Sequence, residues 1–207
     1  MNDIVKKYLK IYEEKRGEIE ARLKEFKETL RKSDEEVFAE LCFCICTPQT
    51  RARAADAAIS MMKGESTLLN GDEDHVADIL RENGVRFPES KARYIVAARA
   101  YLKSLKSLPS DAHKAREWLV KNIKGLGYKE ASHFLRNIGY EGLAILDRHI
   151  LRGMKEVGVI KEVPKNLTKR MYLELEKKFI QLANDLGMRP EALDLVMWAD
   201  KTGEVFK

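Results

Sequence analysis

Apolar residues recur at helical spacing along nearly the whole chain, set among Lys, Glu and Arg. Ile19, Leu23, Phe26 and Leu30 follow one another at 3.6-residue spacing. "SDEEVFAELCFCI" opens with a capping box, Ser33 as N-cap and Glu36 three residues later. Pro48 ends that helix or begins a turn. "TRARAADAAISMM" is alanine-rich and helical, and "NGVRFP" reads as a loop. "PESKARYIVAARAYLKSL" carries Pro88 near its first turn and sets Tyr94, Ile95, Ala98 and Leu102 on one face. Ser110 is the expected cap of "DAHKAREWLVKNI", and further helices are predicted over 147–157, 168–186 and 190–201. No run of alternating β-branched residues is bounded by hairpin turns, and there is no fixed-period repeat or low-complexity linker. The pattern therefore predicts an all-α protein of about ten short helices.

A chain of 207 residues suits one large domain or two small lobes around a shared cleft. With 44% hydrophobic and 34% charged residues it reads as packed and heavily charged at the surface, not disordered. No apolar run approaches the roughly 18 residues that span a bilayer. The first twenty residues alternate apolar and charged positions without a signal-peptide core or cleavage site. Export and a membrane partner are not expected; a cytoplasmic location is. The three cysteines, Cys42, Cys44 and Cys46, lie in "CFCIC". An odd count argues against a disulfide framework. The spacing suits neither CxxC zinc ligation nor a four-thiolate cluster, so they read as small apolar residues of a buried helix. With no HExxH pattern or acidic cluster, no metal and no cofactor are expected. The net charge of +5 and pI near 9.0 weakly favour a nucleic-acid partner, although a solvated basic surface alone would explain them.

One stretch changes the picture. "AREWLVKNIKGLGYKEASHFLRNIG" reads as helix, Gly-Leu-Gly, helix. Gly125 can take the left-handed conformation that ends the first helix; Gly127 permits a tight turn that leaves amide protons exposed at the start of the second. Such amides, with that of Leu126 between them, suit a DNA phosphate bound without regard to base sequence. An ordinary helical hairpin explains the same pattern. Lys129 stands in the first turn of the second helix, the worse end for a cation. Asp147 opens another helix eighteen residues later, in "NIGYEGLAILDRHILRGM".

With that hairpin, lysine and aspartate together, residues 35 to 157 resemble the helix-hairpin-helix DNA glycosylase superfamily related to endonuclease III. Within it the chain is most similar to the archaeal type 2 8-oxoguanine DNA glycosylase/AP lyase group, on its short length, on "CTPQTRARAADAAI" and on the ending "VMWADKTGEVFK". It lacks the four-cysteine loop of endonuclease III and the extra β domain of the eukaryotic-type 8-oxoguanine enzymes. The resemblance implies a two-lobed all-α fold with the active site in the cleft. The expected lobes are 34–150, holding the hairpin at about 115–138, and 1–33 with 151–207. It implies a monomer acting on double-stranded DNA that contains a damaged base.

The chemistry implied is base release and strand cleavage by a lysine amine. An ammonium cannot attack C1′, and the positive field at a helix start disfavours the ammonium, so the position suits a nucleophile at Lys129. Asp147 is expected to stabilise charge on the sugar or to help deprotonate the lysine, while also capping its helix. Extruding a nucleotide leaves a gap. Gln49, in the turn after Pro48, is a candidate to probe or fill it, with Arg51 and Arg53 as phosphate contacts or plain surface charge. Phe87 and Trp198 are candidates to sandwich the flipped base, though aromatics in an all-α protein are usually core. His133 either packs or touches phosphate, and His149 is a base only in principle. In the group resembled, the C-terminal lysine is associated with lesion recognition, which makes Lys207 a pocket candidate. A glycosylase for another base, such as an oxidised pyrimidine, and a non-catalytic hairpin that merely binds DNA are the alternatives.

Overall fold

The structure is a computed structural model describing residues 2–207, and every regular element among them is helical. The helices are α1 (Asp3–Thr29), α2 (Asp34–Cys46), α3 (Ala52–Gly64), α4 (Thr67–Asn70), α5 (Glu73–Glu82), α6 (Pro88–Ala98), a 3-10 helix (Arg99–Ser107), α7 (Ala112–Asn122), α8 (Tyr128–Asn137), α9 (Arg148–Val157), α10 (Lys169–Asp185) and α11 (Pro190–Thr202). They form two compact units. One is the chain up to Glu28 together with Leu135–Lys207; the other is Thr29–Phe134. The division thus falls within α8, whereas the sequence placed the second lobe boundary at 150. The segment from Gly142 to Leu146 is hydrogen-bonded to α10 and α11, which keeps it with the later helices.

In the unit Thr29–Phe134, α2 is the central element, packed against α3, α6 and the 3-10 helix. Its buried residues run from Val37 to Ala39 and from Leu41 to Cys46. Ser33 accepts the Glu36 amide at 3.2 Å, as its capping box requires. The three thiols are fully buried, and burial pushes Cys42 well above its usual range and Cys46 up to about 12, as inert core cysteines behave. Two expectations change here. The helix starting at Pro88 does not run on evenly: past Ala98 it tightens to 3-10, so Leu105 rather than Leu102 is buried. And α7 is capped by Asp111, whose carboxylate accepts the Lys114 amide at 2.8 Å, not by Ser110. Residues 65–82, left unassigned by the sequence pattern, form α4 and α5; Asp72 caps α5 and Val76, Ala77, Ile79 and Leu80 are buried.

In the other unit, α11 packs on α9 and α10. Gly153 of α9 sits where a Cβ would meet the Met197 methyl and the Tyr8 hydroxyl, so the close approach of α9 depends on that glycine. Arg136 at the end of α8 is buried and ion-paired with Asp194 of α11, and its guanidinium lies 5.1 Å from the centre of the Phe26 ring.

Candidate active site

The hairpin is built from the sequence locally. The backbone N–H of Ile123 closes α7 onto Leu119, Gly125 follows with φ of +88°, and Gly127 accepts the Ala131 amide at 2.9 Å to start α8. A side chain at Gly125 would meet the Tyr94 ring at 2.5 Å. Beneath the turn lies Arg116, 1% exposed: it donates to Ser132 Oγ at 3.0 Å and stacks 5.1 Å from the centre of the Tyr128 ring, while the Tyr128 hydroxyl bonds Glu117. Arg116 and Tyr128 thus hold α7 and α8 in one geometry.

Lys129 occupies the second position of α8. Its side chain is 23% exposed, and Nζ lies 3.6 Å from Glu130 Oε1. The other oxygen of Glu130 accepts the Gly127 N–H at 3.2 Å. The Gly127 amide is therefore satisfied by the carboxylate three residues on, as in one half of a capping box, where the sequence suggested an open donor. His133, one turn after Lys129, is 7% exposed and sits edge-on to Phe43 at 5.6 Å; of its two expected roles, the geometry supports packing.

In the same unit, Gln49 is exposed and lies between Pro48 and Thr50 with φ of +55°. Thr50 Oγ1 accepts the Arg86 amide at 3.1 Å, which joins this turn to the one carrying Phe87. Phe87 also has a positive φ, +58°, and is 52% exposed. Such backbone costs about 1–3 kcal/mol per non-glycine residue and clusters at functional sites. The sequence grouped Phe87 with Trp198; the structure joins its turn to that of Gln49.

Asp147 belongs to the other unit and caps α9: Oδ1 accepts the Ile150 amide at 2.8 Å. The segment leading to it is fixed from α10 and α11. Tyr172 donates to Ala144 O at 2.6 Å and accepts the Leu146 amide at 3.3 Å, Glu176 accepts the Ala144 amide at 2.9 Å, and Glu191 accepts the Gly142 amide at 2.6 Å. In this unit too, Trp198 packs edge-on to His149 at 5.9 Å, and its indole N–H is buried with no hydrogen-bond partner among the described residues. Phe206 is buried and Lys207 partly so.

Residues 19–188 match the family model described as 8-oxoguanine DNA glycosylase of the Ogg helix-hairpin-helix type. The chain belongs to that family. A relative from Methanocaldococcus jannaschii, named 8-oxoguanine DNA glycosylase/AP lyase, is 43% identical over 91% of each chain. One of the same name from Fusobacterium nucleatum is 40% identical over 100% of this chain and 99% of its own. Among solved structures, the 8-oxoguanine DNA glycosylase of Thermotoga maritima superposes with a TM-score of 0.93 at 39% identity, over 99% of both chains. The Methanocaldococcus jannaschii enzyme in complex with DNA containing 8-oxoguanine gives 0.92 at 39% identity, over 98% of this chain and 99% of its own. The helical fold expected from the sequence is thus that of the family. The family match spans the hairpin, Lys129 and Asp147. It leaves unexplained the buried polar residues that the sequence did not single out: Lys91, Arg116, Tyr172 and Glu176. Lys91, Tyr172 and Glu176 bond residues distant in the chain, and Arg116 bonds Ser132 sixteen residues on as well as its neighbour His113.

Proposed function

We propose that this chain is a bifunctional DNA glycosylase/AP lyase that excises 8-oxoguanine from duplex DNA and then cuts the strand by β-elimination. The observation that carries the reading is Lys129, a partly shielded amine at the start of the helix that follows the Gly-Leu-Gly turn, in a chain of this family. The neutral amine attacks C1′, the C1′–N9 bond breaks and the base departs with the electron pair. Loss of an N–H proton and opening of the sugar ring leave an imine. The imine acidifies the C2′ hydrogen; its removal expels the 3′ phosphate. Asp147 supplies a fixed carboxylate that stabilises positive charge on the sugar as the base leaves.

The remaining roles follow the same reading. The hairpin around Gly125, Leu126 and Gly127 holds phosphate. Gln49 probes the stack, and exposed Phe87 belongs with it on the adjoining turn rather than in the base pocket. Trp198 belongs to the base pocket: a buried N–H left unbonded costs about 1–3 kcal/mol, which a ligand acceptor would relieve. Lys207 lies near the same pocket in this reading, with buried Phe206 as its anchor.

The test is borohydride trapping on duplexes carrying 8-oxoguanine, an oxidised pyrimidine or no lesion. We expect trapping on the 8-oxoguanine duplex, and its loss together with base release in Lys129→Gln while DNA binding survives. A trapped complex of normal yield in that variant rejects Lys129 as the nucleophile; preferential trapping on the pyrimidine lesion rejects the substrate.

A further inference from the structure

Lys91 is 4% exposed, yet among the described residues no carboxylate is hydrogen-bonded to it. Its Nζ donates to Cys46 O at 2.8 Å, Pro48 O at 2.8 Å and Thr50 Oγ1 at 3.0 Å. An ammonium has three N–H bonds, and all three are used. Cys46 O belongs to the last turn of α2, where carbonyls lack helical partners and the helix end is negative. Glycine or water usually satisfies such groups. Here a cation from α6, more than forty residues away in sequence, does so instead. Burial pushes its pKa down; the charges of Arg86 and Lys129 add to that, while Cys46 and Glu130 oppose it. An ammonium held in this way is costly to bury, and two of its three bonds go to the residues flanking Gln49.

We propose that Lys91 is a positioning residue for the reaction: it clamps the turn on either side of Gln49, holds that residue in its left-handed conformation, and so makes base extrusion from a paired stack efficient. The proposal rests on the reading of Gln49 as the residue that probes the stack. Through Thr50, which also accepts the Arg86 amide, the same clamp reaches the turn of Phe87. Gln49 and Phe87, two of the three non-glycine residues with positive φ among the described residues, are thereby tied to one buried charge. A turn free to relax would let Gln49 leave the left-handed region, because non-glycine residues rarely favour it. Misplacement of a positioning group far from the bond being broken still costs rate.

Lys91→Met keeps the length of the side chain and removes the ammonium; Thr50→Val removes one acceptor at lower risk to folding. Both are compared with Gln49→Ala and with the Gln49→Ala/Lys91→Met double variant, well below each melting temperature. Two rates are read: single-turnover excision of 8-oxoguanine paired with cytosine, and borohydride trapping on a single-stranded oligonucleotide with a preformed abasic site. The second needs the amine but no extrusion from a duplex. We expect Lys91→Met to slow duplex excision about tenfold or more while trapping stays within a few-fold of the unaltered protein. Thr50→Val should follow in the same direction, and the double variant should be no slower than its slower parent. If Gln49→Ala is silent while Lys91→Met slows only duplex excision, the turn acts through its backbone: the probing role of Gln49 fails and the clamp stands. Equal loss of both rates in Lys91→Met overturns the proposal, as does normal duplex excision in both Lys91→Met and Thr50→Val.

Discussion

Asp147 combines two jobs that different substitutions separate. One carboxylate oxygen accepts the Ile150 amide and starts α9; the negative charge is what the proposed chemistry uses. Asparagine caps a helix about as well as aspartate. Asp147→Asn should therefore leave the melting temperature nearly unchanged while single-turnover excision falls by about 10²–10⁴, the span usual for acid–base assistance. Asp147→Ala loses the cap as well, at about 0.5–2 kcal/mol. Full activity in Asp147→Asn would reduce the residue to a cap. Lys129 and Asp147 were legible because each sits in a local pattern, one after Gly-Leu-Gly and one at a helix start. Lys91 was not. Within "PESKARYIV" it looks like any helix-surface lysine, and only the return of α6 to the end of α2 buries it. Tyr172 and Glu176 were hidden for the same reason, since the amides and carbonyl they bond lie 26 to 32 residues away.

At the scale of elements, the two hairpin glycines are not equivalent. Alanine at Gly125 meets both a positive φ and the Tyr94 ring; alanine at Gly127 meets only Glu130 Oε2, at 3.1 Å, the end of a flexible side chain. Gly125→Ala should thus weaken binding to damaged and undamaged duplexes alike and lower the melting temperature, with Gly127→Ala clearly milder on both counts. Fluorescence anisotropy with the two duplexes checks this; a defect confined to the lesion duplex contradicts a backbone-holding role. Helix boundaries show how far periodicity carries. The helices predicted over 147–157, 168–186 and 190–201 lie within a residue or so of α9, α10 and α11, each with a preceding Asp147, Thr168 or Arg189 at the cap position. Periodicity gave no warning that the helix after Pro88 changes pitch, because the 3-10 segment keeps an apolar face and merely rotates which residue is buried. It also missed α5, whose short apolar set is interrupted by charge in "EDHVADILRE".

For the molecule as a whole, stability in the unit that contains Asp147 depends on a buried charge. Arg136 and Asp194 are both largely out of solvent, and Arg136 also bonds Asn137 at 3.0 Å. Removing one partner strands the other, typically at about 3–5 kcal/mol. Asp194→Ala should lower the urea midpoint accordingly; an unchanged midpoint would show that the pair contributes nothing. The net charge of +5 bears on how the chain meets a polyanion, and there the Glu130 carboxylate has an unexpected effect. A nucleic-acid phosphate that takes the Gly127 amide must first evict this carboxylate, so one anion is exchanged for another at that point. On the proposed reading of the hairpin, the unbound protein would carry its own competitor for phosphate, tethered three residues from the donor it occupies. The same carboxylate lies 3.6 Å from Lys129 Nζ, so its displacement by a phosphate would also alter the charge beside that amine.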